Sequence, residues 1–398
     1  MKPTPALRLG QVLRRALRRG KLKLPRAHWK ILNLLAACGT PALGGHRYVC
    51  AQCGQEHFVP HACGNRHCPS CQGAQAVEWL QRQERALLPV PYFHLVFPLP
   101  HRLNGLIRQN RRVMFNLLFR SASQTLLTFG RHELGAQLGI SAVLHTWGQT
   151  LVEHYHLHCI VTGGGLALSG EGWVGTPKHW LFAVRALSRV FGGKFRAGLE
   201  RLRAEGQLEF HGQIKALGQP AVWGRLMAKL KAQQWVVYAK RPFAGPEQVL
   251  AYLSRYTHRV AIGNRRLLGL EPGHVTFSYK DYAQAGRRKT MRLEVEEFVR
   301  RFCLHLLPKR FVKIRHYGLL GNRDRQQRLE RARQSLGVVK AQSQPEPGGQ
   351  APEAPGQAAT PAQGRRRCPH CGAAALVWVG EVPRAVRWIR PVWICDSS

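Results

Sequence analysis

Alternation of polar and apolar positions is clearest in Glu153-His154-Tyr155-His156-Leu157-His158-Cys159-Ile160-Val161. With a period of two, His154, His156 and His158 share one face and Tyr155, Leu157 and Cys159 the other. The pattern runs into Ile160-Val161-Thr162 and is expected to stop at Gly163-Gly164-Gly165. Tyr92-Phe93-His94-Leu95-Val96-Phe97, bounded by prolines, reads as a buried strand, and Ile140 to His145 as a second. Trp147-Gly148-Gln149-Thr150 can turn the latter back into the histidine strand, an antiparallel pair that would set His145 near His156 or His158.

Helical spacing predicts Val77 to Leu88, a long amphipathic segment from about Leu103 to Phe129, and Leu181 to Ala204 and Ala221 to Ala232, both rich in Arg and Lys. Trp235 to Ala239 is a short strand. Gly245-Pro246 then opens a helix in which Val249, Tyr252, Leu253 and Tyr256 share a face, the two tyrosines one turn apart. Val275 to Tyr279 alternates as a strand, and Leu293 to Leu307 returns to helix. This irregular mixture favours α+β over a doubly wound sheet. Residues 338–365, rich in Pro, Gly, Gln and Ala, read as a disordered linker.

Charge narrows the class of partner. Lys+Arg 60 against Asp+Glu 21 gives +39 over 398 residues, which points to a polyanion, above all nucleic acid. No apolar run approaches the roughly 18–20 residues of a spanning helix, and no membrane role is expected. Residues 1–40 form a basic arm carrying Arg14, Arg15, Arg18 and Arg19, with no apolar stretch of a secretory signal. Such an arm is either a solvated tail or a set of phosphate contacts. Arg287-Arg288-Lys289 is a further basic stretch. Another combines Lys309, Arg310, Lys313 and Arg315 with Phe311, His316 and Tyr317, a mix that suits single-stranded nucleic acid or a plain charged surface.

The 11 cysteines, several in C-x2-C pairs, suggest zinc in a reducing compartment rather than a disulfide framework. Cys50 and Cys53 with Cys68 and Cys71 have the spacing of one closed, structural zinc site, so residues 41–90 are expected to be a zinc module. Cys63 is the first reserve ligand, with His57, His61 and His67 also between the pairs. Within residues 366–398, Cys368-Pro369-His370-Cys371 is followed only by Cys395. These are either three thiolates that bind zinc with His370 or a degenerate, metal-free half-knuckle.

A strand presenting adjacent imidazoles is a metal platform, and tyrosines at helical spacing are either packed core or nucleophiles. Together, His156-Leu157-His158 and Tyr252-x3-Tyr256 resemble the HUH endonucleases, and within them the two-tyrosine, rolling-circle transposases of bacterial insertion sequences. The resemblance covers Tyr48 to Arg325, including Val143-Leu144-His145-Thr146-Trp147-Gly148 and Arg310-Phe311-Val312-Lys313-Ile314-Arg315-His316-Tyr317-Gly318.

For residues 91–335 it implies an antiparallel sheet flanked by helices, with Tyr252 and Tyr256 attacking DNA and His156 and His158 holding Mg2+ or Mn2+. Imidazoles sit more comfortably with manganese than with magnesium. The third ligand is open between His145, Gln248 and His154, in that order. The zinc module would help recognise DNA, and Arg255 and Arg259 would suit its backbone. The implied partners are single-stranded element ends and a DNA target, in the bacterial cytoplasm at the nucleoid. The rivals are a plasmid replication initiator or relaxase with the same chemistry, and a non-catalytic zinc-dependent DNA-binding protein.

Overall fold

The computed structural model describes residues 7–84, 86–170, 172–177, 181–243, 248–249, 260–337 and 367–385. Tyr252, Arg255, Tyr256 and Arg259, the expected linker at 338–365 and Cys395 lie outside the described residues. The chain divides into two units, one spanning Gln72–Val338 and the other combining Arg8–Cys71 with the described C-terminal residues. No helix among the described residues is long and apolar enough to cross a membrane.

The unit that begins at Arg8 opens with α1 (Leu9–Arg19) and α2 (Arg26–Ala36). Leu9, Val12, Leu13, Ala16 and Leu17 recur at helical spacing and are all buried, and Gly20, at φ 70°, ends the helix in the left-handed region. The expected basic arm is therefore a folded element over this stretch, because one face of the arginine-rich helix is apolar enough to pack. Arg14 bonds the carbonyl of Ala36 at the end of α2, whereas Arg15, Arg18 and Arg19 remain exposed. Strands β1 (Gly45–Cys50) and β2 (Glu56–Pro60) form a hairpin, and a C-terminal strand, Leu376–Val382, pairs antiparallel with the other edge of β1.

The larger unit starts with α3 (Gln72–Glu84) and is built on an antiparallel sheet. Its strands are β3 (Tyr92–Pro98), β4 (Ala136–Trp147), β5 (Glu153–Ala167), the short β6 (Trp173–Gly175), β7 (Tyr238–Phe243) and, late in the chain, Ile314–Gly318. From one edge the order is Ile314–Gly318, β4, β5, β3, β7, so the histidine strand is central. Helices α4 (Asn104–Gln109), α5 (Arg111–Leu134), α6 (Val184–Ala204) and α7 (Pro220–Ala232) come between these strands in sequence. The long predicted helix is thus two, meeting at Asn110, whose side chain bonds the carbonyls of Leu106 and Glu209.

Phe93, Leu95, Phe97, Leu144, Tyr155, Leu157 and Cys159 point to one side of the sheet and share a buried core with Phe115, Phe119, Phe191 and Phe195 of α5 and α6. That apolar face leaves the alternate residues, the histidines among them, on the other side.

Strand β5 does not stop at Gly163 but continues through the three glycines to Ala167. They carry no side chain into crowded backbone: a Cβ on Gly165 would lie 2.3 Å from the carbonyl oxygen of Gln137. A separate three-stranded sheet joins β8 (Leu267–Glu271), β9 (His274–Asp281) and β10 (Arg287–Glu294), and α8 (Val295–Cys303) packs on it through Phe298 against Phe277. The predicted helix from Leu293 is shortened by β10. The unit ends with β11, the Ile314–Gly318 edge strand, and α9 (Arg325–Ser335). The C-terminal strand of the first unit is β12.

Candidate functional site

Strands β4 and β5 pair with His145 opposite His156 and Val143 opposite His158. Their hairpin is pinned from outside: Gly148 N–H donates to Val152 O at 2.8 Å, and buried His305 donates from Nε2 to the carbonyl of Leu151 at 3.0 Å. At the start of β5, buried Glu153 accepts two bonds from Arg108, at 3.2 and 2.5 Å, and one from the Tyr155 hydroxyl at 2.5 Å. Burial pushes the Glu153 carboxyl up, but these bonds and the Arg108 charge outweigh it and leave its pKa lowered.

The result is a cluster of His145, His156 and His158 whose ligand atoms lie within 4.8 Å of one another, all three buried. The Nε2 atoms of His156 and His158 are 3.0 Å apart. Two ligands about 2.1 Å from one cation and at right angles to each other are about 3.0 Å apart, so this pair fits neighbouring corners of an octahedral ion. His156 Nδ1 donates to the carbonyl of His154 at 2.8 Å, which leaves Nε2 with its lone pair. His158 Nδ1 lies 2.9 Å from Nε2 of His94, a buried side chain on β3, and this contact likewise directs Nε2 of His158 to the cluster.

Burial, with His154 adding, pushes His156 down to about 3. Burial also pushes His158 well below its ordinary value, helped by His145, His156, His94 and Lys240. Neutral imidazole is the form a metal requires. Of the three candidates for a third ligand, His145 joins the group and His154 supplies only its backbone carbonyl to His156. Gln248 is exposed, and its neighbour Val249 is fully buried with Tyr92 and Ile160 in a second core cluster.

The cysteines assemble differently from the single expected site. Cys68 and Cys71 join Cys38 and Cys63, while Cys50 and Cys53 join Cys368 and Cys371. In the first quartet Sγ separations are 3.6 Å for Cys38–Cys71, 3.6 Å for Cys63–Cys71 and 3.5 Å for Cys38–Cys68. Sulfurs about 2.3 Å from one zinc at tetrahedral corners lie about 3.8 Å apart, whereas a disulfide needs about 2.05 Å. The quartet therefore has the size of a closed zinc site. Four sulfurs this close would repel one another as thiolates, and a cation between them removes that repulsion.

The reason for the altered partition is topological. Spacing along the chain shows which cysteines share a knuckle, but not which knuckles face each other. Cys63 was the reserve ligand, and Cys38 was missed. Its available signal is the dipeptide Cys38-Gly39, repeated at Cys53-Gly54, Cys63-Gly64 and Cys371-Gly372, where each glycine adopts positive φ. His94 was missed too, its cue being an imidazole inside an apolar strand. The basic stretch near Arg315 is corrected: Phe311 is core, and Arg315 lies over Phe119 and Phe311 at 4.2 and 5.0 Å, so these rings are not open to stack bases.

Two family models match the chain. A family described as "Transposase zinc-binding domain" matches residues 11–99, and one described as "Putative transposase" matches residues 139–328. The chain is 43% identical over 362 residues to "Putative transposase y4qJ" of Sinorhizobium fredii, covering 89% of this chain and 90% of that protein. It is 31% identical over 293 residues to "Transposase for insertion sequence element IS801" of Pseudomonas savastanoi pv. phaseolicola, covering 73% and 69%. No solved structure matches the chain.

Proposed function

Because the chain belongs to the two-tyrosine insertion-sequence transposases, we propose that it nicks single-stranded element ends through a 5′-phosphotyrosine and passes the strand to target DNA. The observation that carries this reading is the buried His145, His156 and His158 cluster at the centre of an antiparallel sheet. A divalent ion there, Mg2+ or Mn2+, would polarise a non-bridging oxygen of the scissile phosphate. Tyr252 or Tyr256 supplies the nucleophile: its oxygen bonds to phosphorus, the bond to the 3′ oxygen breaks, and that oxygen leaves with a proton. Val249, three residues before Tyr252 in sequence, is buried in one cluster with Ile160, two residues beyond His158. Lys240, paired in register with His94, places positive charge near the cluster and suits a phosphate.

The test is cleavage of 3′-labelled single-stranded oligonucleotides tiling the element's own ends. A metal-dependent covalent adduct on denaturing gels is expected, since the DNA 3′ of the cut stays on the protein. Cleavage that survives complete removal of divalent ions would overturn the role given to the histidines.

His94 is then a positioning residue acting through His158. His94→Ala should weaken Mn2+ affinity by about 10–100-fold. His94→Gln, which keeps a donor and an acceptor, should recover part of it. Mn2+ titration followed by electron paramagnetic resonance reads this directly, and equal affinity in both variants and the parent would remove His94 from the site.

Zinc in the Cys38, Cys63, Cys68 and Cys71 quartet would fix the DNA-recognition unit. Arg15, Arg18 and Arg19, exposed on α1, are its candidate phosphate contacts. Changing all three to Ala should reduce the slope of log affinity against log salt by about 2–3 if each neutralises a phosphate, while α1 keeps its buried face. An unchanged slope would show that α1 stays off the DNA.

A further inference from the structure

Half of the second cysteine quartet lies beyond both matched ranges: Cys50 and Cys53 fall within residues 11–99, whereas neither Cys368 nor Cys371 falls within residues 11–99 or 139–328. Its two knuckles have the same turn. Gly54 N–H donates to the Cys50 carbonyl at 2.8 Å, and Gly372 N–H to the Cys368 carbonyl at 2.8 Å. Cys50 N–H donates to the Gln55 carbonyl at 3.0 Å, and Cys368 N–H to the Ala373 carbonyl at 2.7 Å. Gly54 and Gly372 sit at φ 69° and 77°, a conformation that side chains with a Cβ rarely adopt.

The knuckles face each other. Cys50 Sγ is 3.6 Å from Cys371 Sγ, and Cys53 Sγ is 3.8 Å from Cys368 Sγ, again close to the tetrahedral edge of about 3.8 Å. His57 Nε2 is 3.2 Å from the sulfur of Cys368, where a ring N–H can bond a thiolate. The flanking strands hold the arrangement: β12 pairs with β1 so that Leu376 lies opposite Cys50.

We propose that Cys50, Cys53, Cys368 and Cys371 are a second structural zinc site, a ribbon closed by knuckles 315 residues apart in sequence. Its four thiolates leave no position for water or substrate, so its role is to tie the C-terminal segment into the recognition unit. The proposal rests on no part of the nuclease reading.

Metal analysis of the full chain purified without chelator tests it. Two zinc ions per chain are expected, falling to one in the Cys368→Ser, Cys371→Ser double variant and to one, from the other site, in Cys63→Ser. One zinc in the parent, or two in the double variant, would overturn the assignment.

A second measurement needs no variant. Cys53 and Cys371 are exposed, so free thiols there would alkylate at once with iodoacetamide. In the zinc-bound site both should resist, and become reactive together when a chelator strips the metal. Immediate alkylation of the zinc-loaded protein, or recovery of these cysteines as disulfides, would sink the site.

Discussion

Replacing both Tyr252 and Tyr256 by Phe should abolish the covalent protein–DNA adduct while leaving folding and DNA binding intact. Phenylalanine keeps the ring but removes the oxygen that attacks phosphorus. Losing one tyrosine should leave nicking by the other and end complete strand transfer, because two sequential transfers need two nucleophiles. His156→Ala or His158→Ala should fail differently, losing metal-dependent cleavage in every step with the tyrosines present. Each loss should be on the order of a thousandfold or more, equivalent to about 4 kcal/mol of barrier. Burial of the cluster sharpens the contrast, since His156 and His158 are 8% and 9% exposed and have little surface with which to contact DNA for affinity alone. The assay is the adduct on a denaturing gel with 3′-labelled DNA, beside a binding isotherm for each variant. An adduct formed at the parent rate by the double tyrosine variant would place the nucleophile elsewhere.

The second large effect concerns the recognition unit. Cys68→Ser removes one of four sulfurs from the quartet with Cys38, Cys63 and Cys71. Structural zinc contributes about 10–16 kcal/mol of folding free energy in small zinc modules. Its loss should therefore unfold much of the Arg8–Cys71 segment and with it specific DNA binding. Cys53→Ser should lose a different ion. Had Cys50, Cys53, Cys68 and Cys71 shared one site, the parent would hold one zinc there and either single variant would already lose it. Each single variant and the double variant Cys53→Ser, Cys68→Ser should give one, one and no zinc against two in the parent. A Cys68→Ser protein that keeps its zinc and its melting temperature would refute the quartet.

The α+β class, the histidine strand and its antiparallel partner were legible because each rests on local alternation followed by a tight turn. His145 beside His156 follows from the hairpin at Trp147-Gly148-Gln149-Thr150. Long-range pairing was not legible. Nothing in the spacing of Cys50 and Cys53 says that their partners lie beyond residue 360. The glycines at 163–165 look like a strand end by composition, yet they continue β5 because neighbouring backbone comes too close for a side chain. Likewise α1 is rich in arginine and reads as an arm, but Leu9, Val12, Leu13, Ala16 and Leu17 are enough to bury one face. Phe311 and Arg315 mislead in the opposite direction, since charge beside aromatics looks like a base-stacking surface until packing places the ring in the core.

The cysteine-rich unit takes its chain from both sides of the larger unit, and this sets an order of manufacture. A ribosome releases Gln72–Val338 before it reaches Cys368, so every strand of the histidine sheet can pair while β1 still lacks β12. The ribbon proposed here would close only after Cys371 has been made. A message truncated just beyond residue 338 would then yield the histidine sheet without a finished cysteine-rich unit. In a pulse-labelled translation reaction, protease resistance should appear first in the histidine sheet and only after synthesis of Cys371 in the segment around Cys50. The second knuckle would then join its partner only after the histidine sheet has been made.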